Sequence, residues 1–254
     1  MKYLKSFYMA LGLFSGIPLP FQFWDHKLTA TMVLSLPVVG LFIGALWWAA
    51  SLLLLALNLP QILMAALLTL LPFFLAGFIH LDGYLDTSDA LLSRRPLADK
   101  LQILKDPRVG AFAVVMLAAL FLLQFAAMDV IVEGQRYLVL LIAITTLSRA
   151  SAALSILLLR PLPESSYAAM MAEGNGSGPK IYLSALAVAT IALSFYYAGT
   201  SGIIVALTVV FVYAVAITIV YKTFQGLSGD LLGYALVISE LGGLFALALL
   251  QGVA

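Results

Sequence analysis

The chain has no cysteine and only two histidines, His26 and His80. The first absence excludes disulfides, thiolate zinc sites and cysteine nucleophiles together. The second excludes a poly-histidine metal centre. Charge is also scarce: 10% of the 254 residues are charged and 63% are hydrophobic, against about 25% charged in a soluble domain. The mean hydropathy of +1.10 leaves no room for a separate soluble domain. A net charge of +1 gives no basis for a nucleic-acid partner. Any metal must then be held by carboxylates, and oxygen ligands favour Mg²⁺, Mn²⁺ or Ca²⁺.

What is present is a series of apolar runs of spanning length. Seven qualify, at roughly 31–58, 61–79, 110–131, 137–159, 181–198, 202–221 and 231–251. The fold class they predict is all-α, a single integral membrane domain over 1–254 built as a polytopic bundle of about seven transmembrane helices. Gly40-x-x-x-Gly44 in the first run suits close helix contact. The Lys2–Pro20 region begins like a signal peptide, but Gly16, Pro18 and Pro20 interrupt it and no small-x-small site follows. It reads as a retained interfacial or re-entrant segment. With the N-terminus in the cytoplasm, Lys2, Lys5, Lys27, Arg94, Arg95, Lys100, Lys105, Arg108, Arg160, Lys180 and Lys222 fall inside. That is eleven of the thirteen basic residues, with Arg136 outside and Arg149 within a span. The long polar loops, 80–109, 160–180 and 222–230, then share the cytoplasmic face of the inner membrane.

The first of these loops carries the chemistry. In His80-Leu81-Asp82-Gly83-Tyr84-Leu85-Asp86-Thr87-Ser88-Asp89, three aspartates recur at i, i+4 and i+7. On a helix they lie within an arc of about 60°, and His80 falls on the opposite side. Stacked carboxylates repel unless a cation joins them, so the ladder of Asp82, Asp86 and Asp89 predicts divalent metal. A solvated helix start is the plainer alternative. Arg94, Arg95, Lys100, Lys105 and Arg108 follow closely, flanking a short amphipathic helix from Leu97 to Ile103. Acids that bind metal beside bases that bind phosphate are what phosphoryl transfer requires, although positive-inside topology alone also places bases there. Gln225-Gly226-Leu227-Ser228-Gly229-Asp230 forms a second polar patch. Glu240 lies inside the last span, where an acid needs a partner, and Arg149 is a candidate. Glu173-Gly174-Asn175-Gly176-Ser177-Gly178 reads as a linker or a lid.

These residues resemble one family. His80-x-Asp82-Gly83-x-x-Asp86-Thr87-x-Asp89, followed by Lys105-Asp106-x-Arg108-x-Gly110, is similar to the signature of the adenosylcobinamide-GDP ribazoletransferases, or cobalamin synthases. Pro37-Val38-Val39-Gly40-Leu41, Ser148-Arg149 and Gly229-Asp230 with Gly233 and Glu240 match further family elements over most of the chain. Phe78 and Ala90 stand at positions often occupied by glycine, Pro107 replaces a frequent serine and Leu227 a frequent polar residue.

The resemblance implies a Mg²⁺-dependent transferase, with Mn²⁺ as the alternative ion. α-Ribazole, or α-ribazole 5′-phosphate, joins adenosylcobinamide-GDP, GMP leaves, and adenosylcobalamin or its phosphate forms. It implies Asp82 and Asp86 as metal ligands, and Asp89 as a third ligand or the base. Arg94, Arg95, Lys105 and Arg108 would bind the diphosphate. Asp106 would add to the metal site, and Arg149 and Asp230 to substrate binding. Self-association, or association with other cobamide-assembly enzymes, stays open. Two rivals are weighed: a CDP-alcohol phosphotransferase, whose ladder typically runs Asp-Gly-x-x-Ala-Arg, and a transporter, which would show paired inverted repeats.

Overall fold

The computed structural model describes residues 1–163, 165 and 176–251, so residues 173–175 of the glycine-rich segment lie outside the described residues. Among the described residues the chain is helical, with one isolated bridge between Pro161 and Leu227. The helices are α1 (Lys2–Phe14), α2 (Thr29–Val33), α3 (Leu36–Ala56), α4 (Gln61–Leu75), α5 (Ile79–Leu92), α6 (Leu97–Ile103), α7 (Ala111–Gly134), α8 (Leu140–Leu158), α9 (Ser177–Phe224) and α10 (Gly229–Leu249). By length and apolar composition five of them can cross a membrane, or six if α4 and α5 count as one bent span.

The difference from seven separate spans has two local causes. The expected spans 181–198 and 202–221 are joined in α9, which is broken at Gly199, where φ is +56° and ψ −137°. A Cβ on Gly202 would collide with the Ser194 carbonyl. In a straight helix those residues would stand about 12 Å apart along the axis, so the chain folds back sharply there. The expected span 61–79 stops at Leu75. Gly77 and Phe78 follow with φ of +64° and +61°, and α5 leaves at 94° to α4. The left-handed backbone at 78 explains why glycine suits that position, because a side chain there is strained. The first span is also shorter than 31–58, since α2 ends at Val33 and α3 begins at Leu36.

Two glycine-mediated crossings set the helix packing. In α3, a Cβ on Gly40 would strike the Thr145 carbonyl and come within 2.8 Å of Arg149 Cδ. The Thr145 hydroxyl donates to the Gly40 carbonyl at 2.8 Å. The Gly40-x-x-x-Gly44 pattern is thus the α3–α8 contact. On α5 and α10, a Cβ on Gly83 would lie 2.8 Å from Asp230 Cα, and one on Gly233 would lie 3.1 Å from the His80 carbonyl. Tyr84 and Tyr234 stack across this crossing at 5.7 Å.

The polar segments collect at one end of the bundle. Leu227 N–H donates to the Arg160 carbonyl at 3.0 Å, and Leu162 N–H donates to the Leu227 carbonyl at 2.8 Å. The ends of α8 and α9 therefore meet the start of α10 beside α5. At 1% exposure, Leu227 is a core residue, which accounts for an apolar side chain in a polar patch.

Gly40→Val should destabilise the protein by roughly 1–3 kcal/mol through overpacking. Gly178→Ala, where nothing lies within 4 Å of the added carbon, should leave thermal unfolding in detergent unchanged. Equal melting temperatures for Gly40→Val and wild type would contradict the crossing.

Candidate active site

The aspartate ladder is helical, as its spacing predicts: Asp82, Asp86 and Asp89 all lie on α5. Asp82 is exposed, and Asp86 and Asp89 are half-buried. The contact of Gly83 with Asp230 brings a fourth carboxylate, from the first turn of α10, to the same place. We read α5 as lying outside the spans, because it turns away from α4 and carries three acids in 14 residues.

Burial pushes the Asp86 carboxyl up to about 6, and the charges of Asp82, Asp230 and Asp89 push in the same direction. Three neighbouring acids thus bear on Asp86. Asp89 has a further neighbour. Its carboxylate fills the space where a side chain on Gly110 would be. Gly110 is the N-cap of α7, so the positive end of that helix offsets part of the Asp89 charge. The glycine of the Lys-Asp-x-Arg-x-Gly run is required by this close approach.

The bases and Asp106 are placed differently from one another. Arg94, Arg95, Lys105 and Arg108 are exposed around α6, and Arg94 adopts φ +54°. Asp106 pairs with Arg108 rather than joining the ladder. Arg108 Nη2 and Nε donate to its two oxygens at 2.7 and 2.9 Å, and the Arg108 N–H donates at 3.0 Å. Those hydrogen bonds hold the Asp106 carboxyl down at about 2.

Arg149 is 1% exposed. Its Nη1 donates to Glu240 Oε1 at 2.5 Å, and the Ser148 hydroxyl donates to the same oxygen at 2.8 Å. The pairing that two intramembrane charges required is therefore present between α8 and α10. Arg149 also borders a cavity of about 330 Å³ that reaches Asp82 and Asp230. His80 lines this cavity too. The sequence sets it aside as a metal ligand because it falls off the ladder on α5. The glycine at 233, which lets α10 approach the His80 backbone, is the signal that places it.

A family model described as cobalamin-5-phosphate synthase matches residues 6–248. The chain belongs to the cobalamin-5-phosphate synthase family. An adenosylcobinamide-GDP ribazoletransferase of Clostridium perfringens is 37% identical over 98% of this chain and 99% of its own length. One of Clostridium botulinum is 33% identical over 96% and 97%. One of Geobacillus kaustophilus is 32% identical over 89% and 88%. No solved structure matches. Of the residues that carry the family resemblance, Asp82, Arg149, Gly229 and Asp230 line the cavity, while Ser148 and Glu240 bond to Arg149 and Gly110 lies against Asp89. Neither rival, the CDP-alcohol enzyme or the transporter, is supported.

A raised carboxyl predicts a pH dependence. Asp86 protonates more readily folded, at about 6, than in an open chain at 3.8. The stability it contributes is present below 3.8 and is lost as pH rises through 6. With a chelator present, wild type should lose stability relative to Asp86→Asn between pH 4 and pH 7, measured by thermal unfolding in detergent. A difference that is flat, or of opposite sign, would contradict the crowding.

Proposed function

We propose that this protein transfers α-ribazole, or α-ribazole 5′-phosphate, onto adenosylcobinamide-GDP, releasing GMP and forming adenosylcobalamin or its 5′-phosphate. The observation that carries the reading is the convergence of Asp230 with the Asp82–Asp86–Asp89 ladder in a chain of this family. In the reaction a hydroxyl oxygen of the acceptor bonds to the phosphorus attached to cobinamide. The bond from that phosphorus to the GMP oxygen breaks, and the hydroxyl proton passes to a base.

The donor set suits Mg²⁺ or Mn²⁺, because it is all carboxylate and its crowding calls for positive charge. Asp82, Asp86 and Asp230 are the groups that would hold the ion, with Asp89 at the α7 side. Among the described residues no group of three acidic, histidine or cysteine side chains stands together closely enough to hold an ion by itself. When bound, the ion supplies charge neutralisation for the diphosphate. Arg94, Arg95 and Lys105 line the approach around α6 and attract the same anion. Arg108 can clamp phosphate as well as orient Asp106. Asp89, anchored beside Gly110, is placed to accept the hydroxyl proton.

The basic residues gathered around α6 at the ladder end support a cytoplasmic site in the inner membrane, with the N-terminus inside.

Purified protein in nanodiscs with Mg²⁺, adenosylcobinamide-GDP and α-ribazole or its phosphate should release GMP. It should release no CMP from a CDP-alcohol. Asp82→Asn and Asp86→Asn should each lower turnover by about 10²-fold or more while membrane insertion is unchanged. Full activity in both variants would refute the carboxylate assignment.

A further inference from the structure

We infer that the cavity beneath the aspartate ladder seats the smaller substrate, an aromatic base on its ribose, while the corrinoid donor stays outside. The inference rests on the reaction proposed above. The cavity holds about 330 Å³, at the small end of the range for pockets that enclose a compact organic ligand. A corrin ring bearing its side chains and a GDP far exceeds it.

The walls suit a flat aromatic group. Phe14 of α1, Leu36 of α3, Ile156 of α8 and Leu236 of α10 enclose it. The His80 and Phe14 rings lie nearly parallel, 12° apart. The lining also includes Asp82 and Asp230, so a ligand whose ribose meets these acids would leave its base among the apolar walls.

His80 and Arg149 line the cavity, and His80 Nε2 and Arg149 Nε are buried without hydrogen-bond partners. Arg149 is almost wholly buried, and its Nη1 is fixed by Glu240, so Nε is held in place. A buried polar atom left without a hydrogen bond is costly, and native proteins rarely retain one without a use. Glu240 and Ser148 then act as positioning residues, since they hold Arg149 in that orientation.

Two variants test the cavity in opposite senses. Ala152 lines it, and Ala152→Leu narrows it. The KM for α-ribazole, or for its 5′-phosphate, should rise about 10-fold or more, while the KM for adenosylcobinamide-GDP stays within about twofold. Ile156→Ala widens it and should shift the kcat/KM preference toward nucleosides with a bulkier base by a similar factor. If Ala152→Leu fails to insert, Ile156→Ala decides the matter. A raised donor KM with an unchanged acceptor KM would overturn the assignment, as would an unchanged base preference in Ile156→Ala. Wild type that turns over both substrates while these variants behave like it defeats only the cavity assignment. Wild type that releases no GMP with either acceptor defeats the reaction itself.

Discussion

Helices α5 and α10 cross with almost nothing between them, and the site depends on that contact. Gly83 admits the Asp230 backbone and Gly233 admits the His80 backbone. A side chain at either glycine would push apart the two elements that carry the acids. Because the backbones touch, Asp230 is forced into the field of Asp82 and Asp86. Charges of one sign a few ångströms apart repel by about 1–4 kcal/mol per pair, depending on local dielectric. The fold accepts that repulsion at the place where a cation and a diphosphate would relieve it.

A second constraint holds the neighbouring helices. Arg149 and Glu240 form a buried pair between α8 and α10. Such pairs add little net stability, because desolvation offsets most of the attraction, but removing one partner strands the other. Their effect here is one of register. The pair, with the Thr145–Gly40 hydrogen bond one turn earlier on the same face of α8, fixes α3, α8 and α10 around the cavity. Arg149 is thus both a strut and part of the cavity wall.

Much of this was legible in the sequence. The ladder was readable because three acids at helical spacing in an apolar chain have few bland explanations. That α3 makes a close helix contact was readable from Gly40 and Gly44, though not that α8 is the partner, and the Arg149–Glu240 pair was readable from the rarity of intramembrane charge. The pairing of Asp106 with Arg108 was not, because two residues of loop can turn a side chain either way. Nor was the break after Leu75, since an apolar run from 61 to 79 hides the left-handed backbone at Gly77 and Phe78. The resemblance had marked 78 as a usual glycine position, and its φ of +61° supplies the reason. The place of His80 on a cavity wall needed the third dimension, because that cavity is formed by α1, α3, α5, α8 and α10 together.

The central claim is that these carboxylates share a cation. Mn²⁺ binding to the purified protein in nanodiscs, followed by electron paramagnetic resonance, tests it without turnover. Wild type should bind Mn²⁺ saturably, with Mg²⁺ competing, and Asp86→Asn or Asp230→Asn should weaken the affinity by about 10-fold or more. Equal binding by wild type and by a variant lacking Asp82, Asp86 and Asp230 together would contradict it.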